Sequence, residues 1–285
     1  MEHIDLSVRD LTFEGLRAGP PPDTAAGEPV LLLHGFPQTS VCWRHQLAAL
    51  GDDGHRVVAF DQRGYSPGAR PRDDAAYDID ELVADVLAVA DLLGWDSFHL
   101  GGHDWGGLVA WHLAARHPAR LRSLTVAASA HPQAYVEALR GWDQRRRSAY
   151  VLLFRQRWFA DLLAARRGAG LRAFFRMAGM SATEAAPYVA ALGDRDALRA
   201  TLAWYRAIDE RLGACGPVTV PTVFLWGTAD PALGRDAAGG TARHVTGDYR
   251  IVQLEGMSHW IPEHAPEAMT GALREQLTLH PELSR

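Results

Sequence analysis

The heptapeptide Gly101-Gly102-His103-Asp104-Trp105-Gly106-Gly107 constrains the fold more than any other stretch of the chain. A short apolar run at 97–100 precedes it and a helical pattern at 108–117 follows. Strand, tight turn and helix therefore succeed one another within a few residues. Glycines stand two positions either side of Asp104, where a sharp turn leaves no room for side chains. Such a turn lifts its central side chain to the carboxyl edge of a parallel sheet, where ligand sites of open α/β structures form.

The surrounding sequence repeats this alternation. Residues 30–33 and 57–60 are apolar runs of buried-strand type. They end at His34-Gly35-Phe36-Pro37 and at the loop Asp61-Gln62-Arg63-Gly64-Tyr65-Ser66-Pro67-Gly68. Leu82, Val86, Val89, Ala90 and Leu93 make one helical stripe, with Asp80, Glu81 and Asp85 near its start, where acids suit the helix dipole. After a strand at 124–127 the rhythm breaks. From about 133 to 216 the pattern is almost wholly helical, and strand character returns at 222–226 and 249–254. The expected class is α/β: a mostly parallel sheet of about eight strands, helices on both faces, and a helical cap inserted after the sixth strand. The expected division is a first core segment at 1–132, a cap at 133–216 and a second core segment at 217–285.

Two further motifs fall just past strand ends. Trp226-Gly227-Thr228-Ala229-Asp230 presents a carboxylate, and Gly256-Met257-Ser258-His259-Trp260 presents an imidazole. Nucleophile, acid and histidine thus come in the chain order 104, 230, 259 that a nucleophile-elbow hydrolase requires. The backbone N–H groups of Phe36 and Trp105 are expected to face the Asp104 carboxylate and stabilise charge there. His34 sits beside them at the same strand end. An aspartate in the elbow is a poor reagent toward an acyl carbonyl, because it would form a reactive anhydride. It is a competent in-line nucleophile at saturated carbon, giving an alkyl ester that a histidine-activated water can hydrolyse.

Composition removes other classes. The net charge is −5, which argues against nucleic acid as a partner, since phosphate neutralisation needs a basic face. All 29 basic side chains of the Lys+Arg count are arginine. The two cysteines, Cys42 and Cys215, make no disulfide scaffold, and residues 1–10 carry no apolar secretory core, so a cytoplasmic location is expected. No apolar stretch approaches the ~20 residues of a membrane helix, so no membrane partner is expected.

Taken together, His34-Gly35-Phe36-Pro37, Asp61-Gln62-Arg63-Gly64-Tyr65-Ser66, Gly102-His103-Asp104-Trp105-Gly106-Gly107 and Gly256-Met257-Ser258-His259-Trp260 resemble the α/β-hydrolase fold. More narrowly they resemble its epoxide hydrolase and haloalkane dehalogenase branch, over roughly residues 28–130 and 217–280. The resemblance implies Asp104 as nucleophile, His259 as base and Asp230 as the acid that orients it, with no cofactor and no metal.

The leaving group separates the two branches. An epoxide opens to an alkoxide, which tyrosine hydroxyls of the cap protonate in epoxide hydrolases. Trp204-Tyr205-Arg206 resembles the segment that carries one such tyrosine, which points to Tyr205. The segment around Ser148-Ala149-Tyr150-Val151-Leu152-Leu153-Phe154 resembles the one holding the second. There the family tyrosine falls at Leu153, with Tyr150 one helical turn earlier. Haloalkane dehalogenases also carry tryptophan after the nucleophile, as at Trp105, but their second donor is an asparagine where this chain has Phe36. The implied activity is opening of a small apolar or aromatic epoxide by water to a vicinal diol. Dehalogenation by the same aspartate is the alternative, and a non-enzymatic ligand receptor on the same fold the second. Phe154, Trp158, Phe159, Phe174, Phe175, Met177 and Met180 are expected to form the cap core and an apolar pocket wall, with the cap arginines on a solvated face. Whether the chain forms a homodimer is left open by the sequence.

Overall fold

The computed structural model describes residues 1–21, 23–24 and 26–281. Eight strands form one sheet: β1 (Glu2–Val8), β2 (Leu11–Ala18), β3 (Pro29–Leu33), β4 (Arg56–Phe60), β5 (Phe98–His103), β6 (Leu121–Ala127), β7 (Thr222–Gly227) and β8 (Tyr249–Leu254). Their spatial order is β1-β2-β4-β3-β5-β6-β7-β8. β1 and β2 pair antiparallel with their neighbours, and every pairing from β4 to β8 is parallel. The central strands β3, β4, β5 and β7 are buried at every position, as parallel strands covered by helices on both faces must be.

The β1–β2 hairpin has no counterpart among the strands read from the sequence. Val8 pairs with Leu11, so Arg9 and Asp10 alone make the turn, both at positive φ (52° and 59°). A two-residue hairpin turn of this hand normally takes asparagine or glycine. Arg9 is instead tied down from outside, donating to Asp85 at 2.5 Å and to Glu81 at 2.8 Å.

Between β6 and β7 the chain is helical, from Pro132–Ala138 to Glu210–Gly213. This insertion lies over the carboxyl edge of the sheet and is fastened by specific bonds. The Trp204 indole donates to Arg63 O at 2.7 Å, and the Trp260 indole to Ala178 O at 2.7 Å. Phe154, Phe175 and Met180 are buried there, as expected. Trp158 and Met177 are not: they are 54% and 79% exposed, because one lies at the outer start and the other at the last position of the helix Arg157–Met177. Among the described residues no helix is long and apolar enough to cross a membrane.

Candidate active site

Four strand ends converge on one point. β5 ends at His103, and Asp104 follows at φ 52°, ψ −119°, before the helix Trp105–Arg116 begins. A non-glycine residue held in this sparse region marks a turn whose surroundings impose its geometry. The neighbouring glycines are needed for space. A Cβ on Gly35 would lie 2.4 Å from Asp104 Oδ1, and one on Gly106 would lie 2.2 Å from Leu33 O. β3 delivers the loop containing Phe36, β7 delivers Asp230 and β8 delivers His259.

Asp104, Asp230 and His259 come together. His259 Nδ1 donates to Asp230 Oδ2 at 2.9 Å, and its Nε2 lies 3.5 Å from Asp104 Oδ2. Asp230 is fully buried, and its other oxygen accepts from the Ala232 and Leu233 N–H groups at 2.8 and 3.1 Å. The Phe36 N–H donates to Asp104 Oδ1 at 2.8 Å, and the Trp105 N–H donates to the same carboxylate. Oδ1 thus accepts the Phe36 N–H and Oδ2 faces the imidazole.

The charges are coupled. Burial would raise the Asp104 carboxyl, but the hydrogen bond and charge of His259 outweigh it and hold the group below its ordinary value. Burial would likewise lower His259. The Asp230 and Asp104 carboxylates outweigh that and raise the imidazole to about 10. The free site is therefore an imidazolium between two carboxylates.

A cavity of about 470 Å³ opens in front of Asp104 and His259. Tyr205 and Tyr150 both line it, their ring centroids 6.4 Å apart. The Tyr205 ring is set by edge contacts with Trp105 at 5.0 Å, Phe36 at 5.4 Å and Phe154 at 4.9 Å. Burial pushes both phenols well above their ordinary range, so they stay protonated and able to donate.

Two expected substrate contacts are corrected. Leu153 lies outside the cavity and is 47% exposed. In the helix Tyr150–Phe154 the Tyr150 ring packs on the buried Phe154 ring four residues on, and Leu153 lies off that face. His34 is buried behind the site. Its Nε2 accepts from the Gln62 N–H at 3.1 Å, its Nδ1 donates to Gly35 O at 3.1 Å, and Gln62 Nε2 donates to His34 O at 2.7 Å. It braces the Phe36 loop against the loop after β4, and burial lowers its pKa to about 4, so it carries no charge.

Other residues at the site had no signal in the sequence reading. His103 Nε2 donates to the His259 carbonyl at 2.9 Å, and burial lowers it to about 4. Within the insertion, Arg147 Nη1 donates to the Asp230 carbonyl at 2.5 Å. This arginine, expected on a solvated face, leaves it for the acid loop. Arg145 is exposed but lines the cavity rim.

The sequence pattern of the alpha/beta hydrolase fold family matches residues 28–266. The chain belongs to that family. Epoxide hydrolase A of Mycobacterium tuberculosis is 31% identical over 300 residues, covering 89% of this chain and 92% of that protein. Epoxide hydrolase 4 of Mus musculus is 32% identical over 292 residues, covering 95% of this chain and 78% of that one. The crystal structure of epoxide hydrolase A from Mycobacterium thermoresistibile matches with a TM-score of 0.82 at 29% identity, covering 97% of this chain and 98% of that one. The Bacillus megaterium epoxide hydrolase, solved with an inhibitor, matches with a TM-score of 0.84 at 25% identity, covering 97% of this chain and 100% of that one. Within the fold, this chain belongs with the epoxide hydrolases.

Proposed function

We propose that this protein opens an epoxide to a vicinal diol in two steps, with Asp104 as nucleophile. The observation that carries the reading is a carboxylate presented to the same cavity as two protonated phenols, Tyr205 and Tyr150. Asp104 Oδ1 is held by the Phe36 N–H, so Oδ2 attacks an oxirane carbon. The C–O bond breaks, its electron pair stays on the epoxide oxygen, and that oxygen takes a proton from a tyrosine hydroxyl. The product is an ester between Asp104 and the substrate.

Esterification removes one of the two anions that keep His259 protonated, so the imidazolium gives up its proton, which restores the tyrosine hydroxyl by way of solvent, and the neutral imidazole serves as the base of the second step. It takes a proton from water, and the resulting hydroxide adds to the ester carbon. The oxyanion forms where the Phe36 and Trp105 N–H groups already point. Collapse breaks the bond from the Asp104 carbonyl carbon to the substrate oxygen, and that oxygen takes a proton from the His259 imidazolium to give the diol. The second proton of the attacking water passes to the imidazole as an oxygen of water stays in the Asp104 carboxylate. Asp230 holds the imidazole tautomer and supports its positive charge. The helices between β6 and β7 act as the cap that supplies both tyrosines and closes the cavity.

Halide release from a haloalkane would need side-chain N–H donors around the leaving group. Phe36 supplies none, and the Trp105 indole is engaged with the Tyr205 hydroxyl. A mixed panel of aryl and alkyl epoxides and haloalkanes, with diol and halide both assayed, tests the reading. Diol from epoxides without halide from haloalkanes is expected; halide release without diol would overturn it.

A further inference from the structure

Besides Ser129, Arg145 and Asp209, the cavity wall contains a hydroxyl pair that the steps above do not use. Tyr135, on the helix Pro132–Ala138, and Ser148, just after the helix Trp142–Arg147, both line the cavity that holds Asp104. Their hydroxyl oxygens are 2.6 Å apart. The wall beside them is apolar: Val136, Leu139, Val151, Ile208 and Leu212. A hydroxyl pair set in such a wall loses solvation, and an alanine and a phenylalanine would fill the same space without that cost.

Behind the pair lies Gln144, 2% exposed, with every amide group engaged. Its Oε1 accepts from the Gly234 N–H at 2.9 Å. Its Nε2 donates to Ala232 O at 2.8 Å and to Ser148 Oγ at 3.0 Å. The amide orientation is fixed by its partners, since a backbone N–H can only donate and a carbonyl can only accept. Both Nε2 protons are therefore used, and Ser148 Oγ is an acceptor toward Gln144.

Proton counting then determines what the pair offers. The two hydroxyls hold two protons, and their mutual bond uses one of them in whichever direction it runs. The second belongs to a hydroxyl at the cavity wall and is not needed within the network. The Gln144 bonds also join the pair to the loop 232–234, in which the Ala232 and Leu233 N–H groups hold the Asp230 carboxylate. The donor is thus fixed relative to the catalytic acid.

We propose that the Tyr135–Ser148 pair is a substrate-recognition site that donates one hydrogen bond to an acceptor oxygen, an ether or carbonyl, on the substituent of the epoxide. The proposal rests on the epoxide hydrolase reading and narrows its substrate class. Epoxides bearing such an oxygen are preferred over hydrocarbon epoxides of the same shape.

The test compares phenyl glycidyl ether with 4-phenyl-1,2-epoxybutane, which differ by one oxygen in place of a methylene. The ratio of their kcat/KM values is measured in the wild type and in the Tyr135→Phe/Ser148→Ala double variant. The intrinsic reactivity difference of the two oxiranes cancels between proteins. We expect the ratio to fall by about five- to tenfold in the double variant, the range of one hydrogen bond. The same ratio in both proteins overturns the proposal. Should the double variant fail to fold, the two diols serve as competitive inhibitors of the wild type. Tighter binding of the ether diol is expected, and equal inhibition constants overturn the proposal. If the wild type turns over neither oxirane to diol, it is the underlying hydrolase reading that fails.

Discussion

The sheet and the insertion hold their parts of the site by different means. On the sheet side, backbone geometry does the work: Asp104 sits at a positive φ between glycines whose added Cβ atoms would collide with it or with neighbouring backbone. Asp104, the Phe36 and Trp105 N–H groups, Asp230 and His259 all stand just past the ends of strands of the sheet. On the insertion side, side chains do the work. Tyr205 lies on a four-residue helix and Tyr150 on a five-residue one. Helices this short have no stability of their own. They are placed by aromatic packing around Phe36, Phe154 and Trp105 and by single bonds such as Trp204 to Arg63 O. The difference teaches that the bond-making half of the site is fixed by the fold, whereas the half that meets the leaving group and the substituent is adjustable one side chain at a time.

Perturbing each half sharpens this contrast. Tyr205→Phe removes a proton donor to the opening epoxide while leaving the packed ring in place. Epoxide turnover should fall about 10²- to 10³-fold, comparable with loss of one preorganised oxyanion donor. Tyr150→Phe should fall in the same direction, and an unchanged single-turnover rate would remove that residue from the site. On the sheet side, Gly35→Ala forces a Cβ to within 2.4 Å of Asp104 unless the loop shifts. A displacement near 1 Å costs about a hundredfold in rate, so steady-state kcat should drop at least that far. Retention of wild-type rate would show that the nucleophile is less rigidly held than its backbone implies.

Arg147→Met tests the seam between the halves by removing the bond to the Asp230 carbonyl. A loss of up to about tenfold in kcat is expected, the scale of one charge-assisted hydrogen bond, with the Tm little changed because the side chain is only half-buried. A larger fall in Tm than in kcat would make it a folding contact instead. The smallest expected effect is on pH-dependent stability. His259 is raised above its ordinary value of 6.5 to about 10, so its stabilisation is present below 6.5 and lost as pH rises toward 10. Asp104→Asn removes one of the two anions responsible, and thermal melts across that range should show the loss ending at lower pH and totalling less.

The same division explains what could be read from the amino-acid order. The elbow at Asp104, the acid at 230 and the histidine at 259 are marked by local strand–turn motifs, and the structure brings them together. The β1–β2 hairpin was not legible, because Arg9-Asp10 lacks the residues such a turn usually takes and is held by Glu81 and Asp85, more than 70 positions away. His34 carries a motif but braces a loop from behind the cavity, because its bonding to Gln62 depends on how two strand ends meet. In the insertion, a three-residue step decides whether Tyr150 or Leu153 enters the cavity, and only the packing of Phe154 resolves it. Tyr135, Gln144, Arg147 and Ser148 gave no local signal, since their roles arise from contacts across 83 to 90 residues or from the fold of the insertion itself.

The central claim is that a carboxylate oxygen of Asp104 bonds to substrate carbon and is then exchanged with solvent. A single turnover with excess enzyme in water enriched in oxygen-18, followed by proteolysis and mass analysis of the peptide containing Asp104, reads this directly. Label is expected in the Asp104 carboxylate, with unlabelled first-turnover diol. Label in the diol with none in Asp104 would mean that water attacks the epoxide directly, and would contradict it.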